Sequence, residues 1–447
     1  MTKKNSEIKT SYLTLLTVTA ALGGLLFGFD IAIITGAGPF VQQHFGLNEL
    51  QLGWGFSSLL FGCIIGSAIA GRVTDIFGRR KILLGVAVLF AVTSAGTALA
   101  GSFAIFAAVR LLGGLAVGAA SVVSPMYISE VSPSHVRGRL VAAYQLSIVI
   151  GVLASYSTNY LLRNIGPANW RWMFLTGVAP SAAFLLLLFL VPETPRFLFK
   201  AGREAEAGEV LRKIGGAEYA AREMAQIRGS LTEAKSGFRD LLRPELRKPL
   251  LVGIGLAVLV QMSGINTIID YAPIIFKSAG WKIDAALFST FIIGSVNFAF
   301  TLVSLRAIDR YGRKPLYLVG SAGMTVTLGL LAYANVVHRF TGTIVLLLIL
   351  AFTAFFAACI GPVFWTLLSE IFPNRIRGTA MSVPVFTQWT VNALIVWLFP
   401  WVLRHLGGAV TFGFLALMAL LQLIFTWAFV PETKNKSLEE IEKEWHA

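Results

Sequence analysis

Charge is what this sequence has least of. Only 13% of its 447 residues are Asp, Glu, Lys or Arg, against about 25% in an average soluble domain. Hydrophobic residues make up 56% and the mean hydropathy is +0.73, which excludes a water-soluble globule. Cysteine is nearly absent too: Cys63 and Cys359 both fall inside apolar runs, with neither metal-ligand spacing nor a disulfide framework. The five histidines are dispersed near loops or termini, and there is no phosphate-binding glycine loop, no HExxH and no GxSxG. Those absences argue against an enzyme or an ATP-driven pump, and no cofactor or metal is expected.

What the chain does have is long apolar runs, and about 20 residues suffice to cross a bilayer. Such runs fall at 11–35, 51–72, 82–101, 103–127, 140–162 and 172–191, then at 249–277, 284–306, 315–337, 342–366, 379–403 and 409–430. The expectation is six spans plus six. The polar start MTKKNSEIKTSYL precedes a full-length apolar run with no small-residue cleavage site, so a retained first span is expected rather than a removable signal. A net charge of +14 raises the question of nucleic acid, but its placement answers it. Of the 37 Lys and Arg, 30 lie in alternate loops and termini on one side, six (Arg163, Arg171, Lys277, Lys282, Arg339, Arg404) on the other, and Arg110 inside a span. By the positive-inside rule both termini and 192–248 are cytoplasmic.

Three phrases occur twice: GRVTDIFGRRK and LRAIDRYGRKP, SEVSPSHVRG and SEIFPNRIRG, VPETPRF and VPETKNK. Their acids, Asp75 and Asp309, Glu130 and Glu370, Glu193 and Glu432, are offset by 234, 240 and 239 residues. A near-constant offset implies an internal duplication, and parallel repeats of membrane spans usually bracket a substrate path. Between the halves, EAEAGEVLRKI and EYAAREMAQIRGSL carry apolar residues at helical spacing and are separated by Gly215 and Gly216. They read as short amphipathic surface helices, either a latch under the bundles or a solvated linker.

The whole chain, from GGLLFGFD to VPETK, resembles the sugar porter branch of the major facilitator superfamily. The phrases that carry the resemblance, in order, are GRVTDIFGRRK, PMYISEVSPSHVRGRL, VPETPRFL, QMSGINTIIDYAP, VNFAFT, GPVFWTLLSEIFPNRIRG and QWTVN. The resemblance implies an all-α membrane protein with 12 transmembrane helices in two six-helix bundles, short intracellular helices, and alternating access around a central site. The expected divisions are 1–195, 196–247, 248–434 and a tail at 435–447. Asp75 with Arg79 and Arg80, and Asp309 with Arg313 and Lys314, set an acid beside bases at the inner ends of spans. The resemblance adds Glu130 with Arg137, Glu370 with Arg377, and Glu193 with Arg196, and it includes Glu432 in the same network, which holds the inner faces together when the site opens outward. The plainer reading is charge placed for topology alone. Exposed ion pairs are worth about 0 to 1 kcal/mol each, which suits a gate that must reopen.

A sugar presents hydroxyls and an apolar ring face, so its site needs amides and an aromatic wall in a dry cavity. The resemblance assigns this role to Gln145, Gln261, Asn266, Asn297, Trp365, Gln388, Trp389 and Asn392; the alternative for any one amide is interhelical hydrogen bonding. Two departures fall in span 7. Val260 stands where the family has a first glutamine, and Asp270 stands before Tyr271 where it has two tyrosines. Asp270 is read as a gate residue in a wet vestibule, with a protonatable group or a substrate ligand as alternatives.

Three ionisable residues lie well within spans: Asp30, Arg110 and Asp270. Each costs about 2.5 to 3.5 kcal/mol at mid-membrane, which argues against an unpaired structural role. In proton-coupled members of the family an aspartate and an arginine occupy the positions of Asp30 and Arg110, whereas passive facilitators carry asparagine at the first. The expected function is therefore proton-coupled symport of a monosaccharide, hexose or pentose, by a monomer in the cell inner membrane. A passive sugar or polyol facilitator with a permanent Asp30–Arg110 pair stays open. So does a membrane sugar receptor, against which the short tail KNKSLEEIEKEWHA argues.

Overall fold

The computed structural model describes residues 10–133, 136–231, 244–372 and 377–434. All its regular elements are α-helices. The first part of the chain forms α1 (Thr10–Phe45), α2 (Glu49–Phe77), α3 (Arg79–Ala98), α4 (Phe103–Val131), α5 (Arg137–Leu162), α6 (Asn169–Leu175) and α7 (Val178–Leu190). Two polar helices follow, α8 (Pro195–Lys200) and α9 (Glu204–Leu231). Then come α10 (Pro244–Met262), α11 (Ile265–Asp270), α12 (Ala272–Ser278), α13 (Ile283–Tyr311), α14 (Arg313–Val336), α15 (Gly342–Cys359), α16 (Gly361–Glu370) and α17 (Arg377–Phe429).

Among the described residues, ten helical segments are long and apolar enough to cross a membrane, some of them continuous across a local break. That count is lower than the twelve expected from the sequence, for two visible reasons. Residues 379–403 and 409–430 are two helical arms that meet at non-helical geometry at Gly407 (φ 78°, ψ 165°) and are counted together as α17. At 1.5 Å per residue the arms on either side of Gly407, 377–406 and 408–429, are about 45 and 33 Å long, so each can cross a bilayer core by itself. The second reason is α5, which has the length, 26 residues, but carries Gln145, Ser147, Ser155, Ser157, Thr158 and Asn159 among its apolar residues and is not among the ten. The outward faces of several spans are apolar, with Leu186, Leu190, Leu347 and Trp427 each more than 60% exposed. Such side chains suit a lipid surround.

The helices pack as two compact units. One consists of Met1–Ile31, Gly62–Ser155 and Arg171–Lys235, the other of Ala32–Phe61, Tyr156–Trp170 and Ser236–Ala447. Each unit has its own core: Phe90, Phe106 and Phe184 are buried in the first, Tyr317, Phe352 and Phe364 in the second. The units do not coincide with the sequence halves, because parts of α1, α2 and α5 pack with the second half. In α9 the chain departs from helical geometry at Gly215 and Gly216 (φ −141° and 81°), as the glycine pair suggested. Its polar face carries the exposed pairs Lys213–Glu209 and Arg228–Glu204, and Arg203 just before the helix pairs with Glu206.

Candidate functional site

The duplicated phrases fold into the same side-chain cluster twice, once in each unit. In the first, the chain leaves α2 through Gly78 (φ 93°) and starts α3, whose first N–H groups have no partner within the helix. Glu193 supplies one: its carboxylate accepts from the backbone N–H of Arg79 at 3.1 Å and of Arg80 at 3.0 Å. The Arg79 guanidinium reaches Glu130 at 2.9 Å, and the Thr194 hydroxyl donates to the other oxygen of Glu130 at 2.6 Å. Arg80 turns the other way and donates to the carbonyls of Leu188 and Phe189. Burial pushes the Glu193 carboxyl above its ordinary value, against the opposing pull of the Thr194, Arg80 and Arg79 N–H groups and the Arg79 charge.

In the second unit Gly312 (φ 90°) opens α14, and Glu432 accepts from the N–H of Arg313 and of Lys314, both at 3.1 Å. Arg313 grips Glu370 with two nitrogens, at 2.8 and 3.1 Å, and the Thr433 hydroxyl donates to Glu370 at 2.6 Å. Lys314 donates to the Trp427 carbonyl, as Arg80 does to its own pair.

In the first unit the partner of Glu130 differs from that expected by resemblance. Glu130 pairs with Arg79 and not with Arg137, which donates to the Ser132 carbonyl at 3.5 Å. Glu193 caps a helix through the backbone N–H groups of Arg79 and Arg80, and Glu370 takes Arg313. The cause is proximity across the repeat: the glycine turn brings the first residue of the following helix onto the glutamate, while Arg137 begins a separate helix. Asp75 is 52% exposed and lies 3.6 Å from Arg79 and 3.3 Å from Lys200. The side chains of Asp309 and Arg377 lie outside the described residues. Sequence reasoning passed over Thr194 and Thr433, although the signal was there, since the repeated phrase VPET duplicates the threonine together with the glutamate.

Within the first unit, α1 and α4 bring Asp30 and Arg110 together. The Arg110 guanidinium donates to the Asp30 carboxylate at 2.9 Å and to the Asp30 backbone carbonyl at 3.0 Å. Arg110 is 2% exposed and the Asp30 side chain 13%, and the Phe174 ring lies 5.5 Å from the guanidinium carbon. Gln145, on α5, is half-buried in the same unit.

The remaining amides belong to the second unit. Asn266 Nδ2 donates to Gln261 Oε1 at 2.9 Å, which leaves the Gln261 amide nitrogen and the Asn266 oxygen for other partners. Asn392 is buried, Gln388 half-buried, and Gln388 Oε1 has no hydrogen-bond partner among the described residues. Asn297 accepts weakly from Thr301 at 3.4 Å. Trp389 is half-buried, and Trp365 is 38% exposed with its ring edge-on to Phe364. Val260 is buried.

Tyr271 is 1% exposed, stacks on Phe56 at 4.4 Å and on Phe399 at 5.3 Å, and donates its hydroxyl to the Val396 carbonyl at 2.9 Å. Asp270 beside it is 8% exposed, so it is not set in a wet vestibule as expected. The open space nearby is a cavity of about 620 Å³, to which Tyr271, Phe399, Glu49, His338 and Arg404 contribute but Asp270 does not.

A family model described as "Sugar (and other) transporter" matches residues 16–445. The D-xylose-proton symporter of Escherichia coli (strain K12) is 38% identical, with 99% of this chain and 97% of that protein covered. The arabinose-proton symporter of Bacillus subtilis is also 38% identical, over 97% and 95%. This chain belongs to the sugar porter family of the major facilitator superfamily. The solved structure of the E. coli xylose transporter in an inward-open conformation matches this sugar porter with a TM-score of 0.86 at 36% identity, covering 97% of this chain and all of that one. The sugar porter is accordingly a multi-span membrane transporter and not an enzyme, and the duplicated clusters and the Asp30–Arg110 pair are features of a transport protein.

Proposed function

We propose that this protein is a proton-coupled symporter of a pentose or hexose that works by alternating access. One observation carries the coupling: the buried pair of Asp30 and Arg110, at 2.9 Å, contains an aspartate that can take a proton. Two relatives with proton-symporter names, for D-xylose and for arabinose, support the same reading. Ionised Asp30 holds the guanidinium between its carboxylate and its own carbonyl. A proton on the carboxylate cancels its charge, weakens that bond and releases α1 relative to α4, so proton and sugar occupancy become linked. Arg110 stays charged throughout, as guanidinium does.

The sugar contacts we assign are Gln145, Gln261, Asn266, Asn297, Trp365, Gln388, Trp389 and Asn392. The Gln261–Asn266 bond orients one donor and one acceptor, and the Gln388 oxygen offers another acceptor. The chain then comprises twelve spans, with α5 as one and the two arms of α17 as two. It has both termini in the cytoplasm and acts as a monomer. In this orientation the duplicated acid–base clusters lie at the inner face. The contacts of Tyr271 with Phe56 and Phe399 then close the outer one, which supports an inward-facing state.

Uptake of labelled xylose, arabinose and glucose into proteoliposomes, with and without an inward proton gradient, tests the reading. Wild type accumulates sugar above equilibrium, whereas Asp30→Asn loses accumulation but keeps exchange. Equal, gradient-independent uptake by both would make the protein a facilitator and the pair a structural one.

A further inference from the structure

Among the described residues, the glutamate–arginine pair of each inner cluster lies within one sequence half. Glu130 and Arg79 both belong to the first, Glu370 and Arg313 to the second. An ion pair that ties the two sequence halves together stands at the opposite end of α13 from Arg313. Arg163, just after α5, donates to Asp284 in the first turn of α13 at 2.7 Å.

The arginine is also held by its own neighbours. Its guanidinium lies 3.9 Å from the centre of the Tyr160 ring and also donates to the Tyr160 carbonyl, while Asn169 Nδ2 donates to the Arg163 carbonyl at 2.7 Å. Tyr160 in turn packs on Phe288, one turn beyond Asp284 on α13, with ring centres 5.4 Å apart. A guanidinium already fixed by a ring and a carbonyl loses little freedom on meeting a carboxylate. Asp284 sits where a helix N-terminus favours an acid. It is 58% exposed and Arg163 21%, so water reaches the bond and it can open in every cycle.

The geometry points to Arg163 and Asp284 as an outer charge latch, a pair of positioning residues that hold α5 to α13 when the site faces the cytoplasm. Neither touches the assigned sugar or proton sites. Glu49 and Arg404, at 3.9 Å, form a looser second tie between α2 and α17. The inference rests on the alternating-access reading and gives the outer face a tie between the halves that acts in the opposite state from the one expected of the inner clusters.

Spin labels at Leu99→Cys and Val336→Cys, exposed positions at the ends of α3 and α14 (77% and 62%), in a chain with Cys63 and Cys359 replaced by alanine, report the outer opening by pulsed distance measurement. Arg163→Ala and Asp284→Ala are expected to raise the ratio of long to short distances about two- to fivefold, the scale of a partly exposed pair. The double charge swap Arg163→Asp with Asp284→Arg is expected to bring the ratio back. Raising ionic strength from about 0.05 M to about 0.5 M should mimic the single variants in wild type and leave them unmoved. Single-variant distributions that overlay wild type, or a swap that restores nothing, would overturn the latch. Absence of sugar uptake by wild type would count against the transport reading alone, because the distances are read without turnover.

Discussion

Glu193 shows how one carboxylate combines opposing demands. It must be ionised to accept well from the N–H groups that open α3, yet burial favours its neutral form, and burial is the larger effect. A carboxyl whose folded value is raised contributes stability that is fully present below its unfolded value, about 4.3, and lost as pH rises through the folded value. Glu193→Gln keeps an acceptor oxygen and removes the titration. Wild type should therefore lose stability relative to Glu193→Gln as pH is raised from about 4 through the raised value. Thermal unfolding in detergent at several pH values checks this, and a wild-type advantage that grows with pH would contradict it. The acid was legible because its phrase is duplicated. Its partners were not: the N–H groups of Arg79 and Arg80 lie more than a hundred residues away and carry no side-chain signature.

At the scale of elements, the short turn between a span and its successor decides where these clusters form. Gly78 and Gly312 adopt positive φ, and a Cβ on Gly78 would lie 2.3 Å from the Glu193 carboxylate, one on Gly312 2.7 Å from that of Glu432. Gly78→Ala meets both a disfavoured backbone region and the capping oxygen, and should cost about 1 to 3 kcal/mol. A melting temperature several degrees lower, with a similar loss in Gly312→Ala, is the expected outcome. Helix existence and approximate limits were read from apolar periodicity and from Gly215 and Gly216. The two expected spans 379–403 and 409–430 are the two arms of α17, and the non-helical geometry at Gly407 falls in the short stretch between the two apolar runs.

At the scale of the whole molecule, the proposed alternating access has ring stacking as well as charge holding the outer end closed. Tyr271 lies between Phe56 of α2 and Phe399 of α17, and Trp397 of α17 donates to the Leu50 carbonyl of α2. Each aromatic pair adds about 0.5 to 1.5 kcal/mol beyond its buried area, so Tyr271→Ala should favour the outward-facing state by about 1 to 3 kcal/mol. The measurable consequence is a lower external half-saturation for sugar with slower net accumulation. An unchanged external half-saturation would remove Tyr271 from the gate.

By itself the sequence determined that this is a duplicated bundle of membrane helices of the sugar porter family, and which few ionisable residues stand in apolar surroundings. Hydropathy, internal repeats and charge asymmetry are properties of residues along the chain and need no coordinates. Tertiary structure alone decided that Glu130 takes Arg79 and Glu370 takes Arg313, that Thr194 and Thr433 complete those clusters, that Asp270 is buried, and that Arg163 meets Asp284. Those choices depend on distances between segments far apart in sequence, where several partners of equal charge compete and packing geometry selects one.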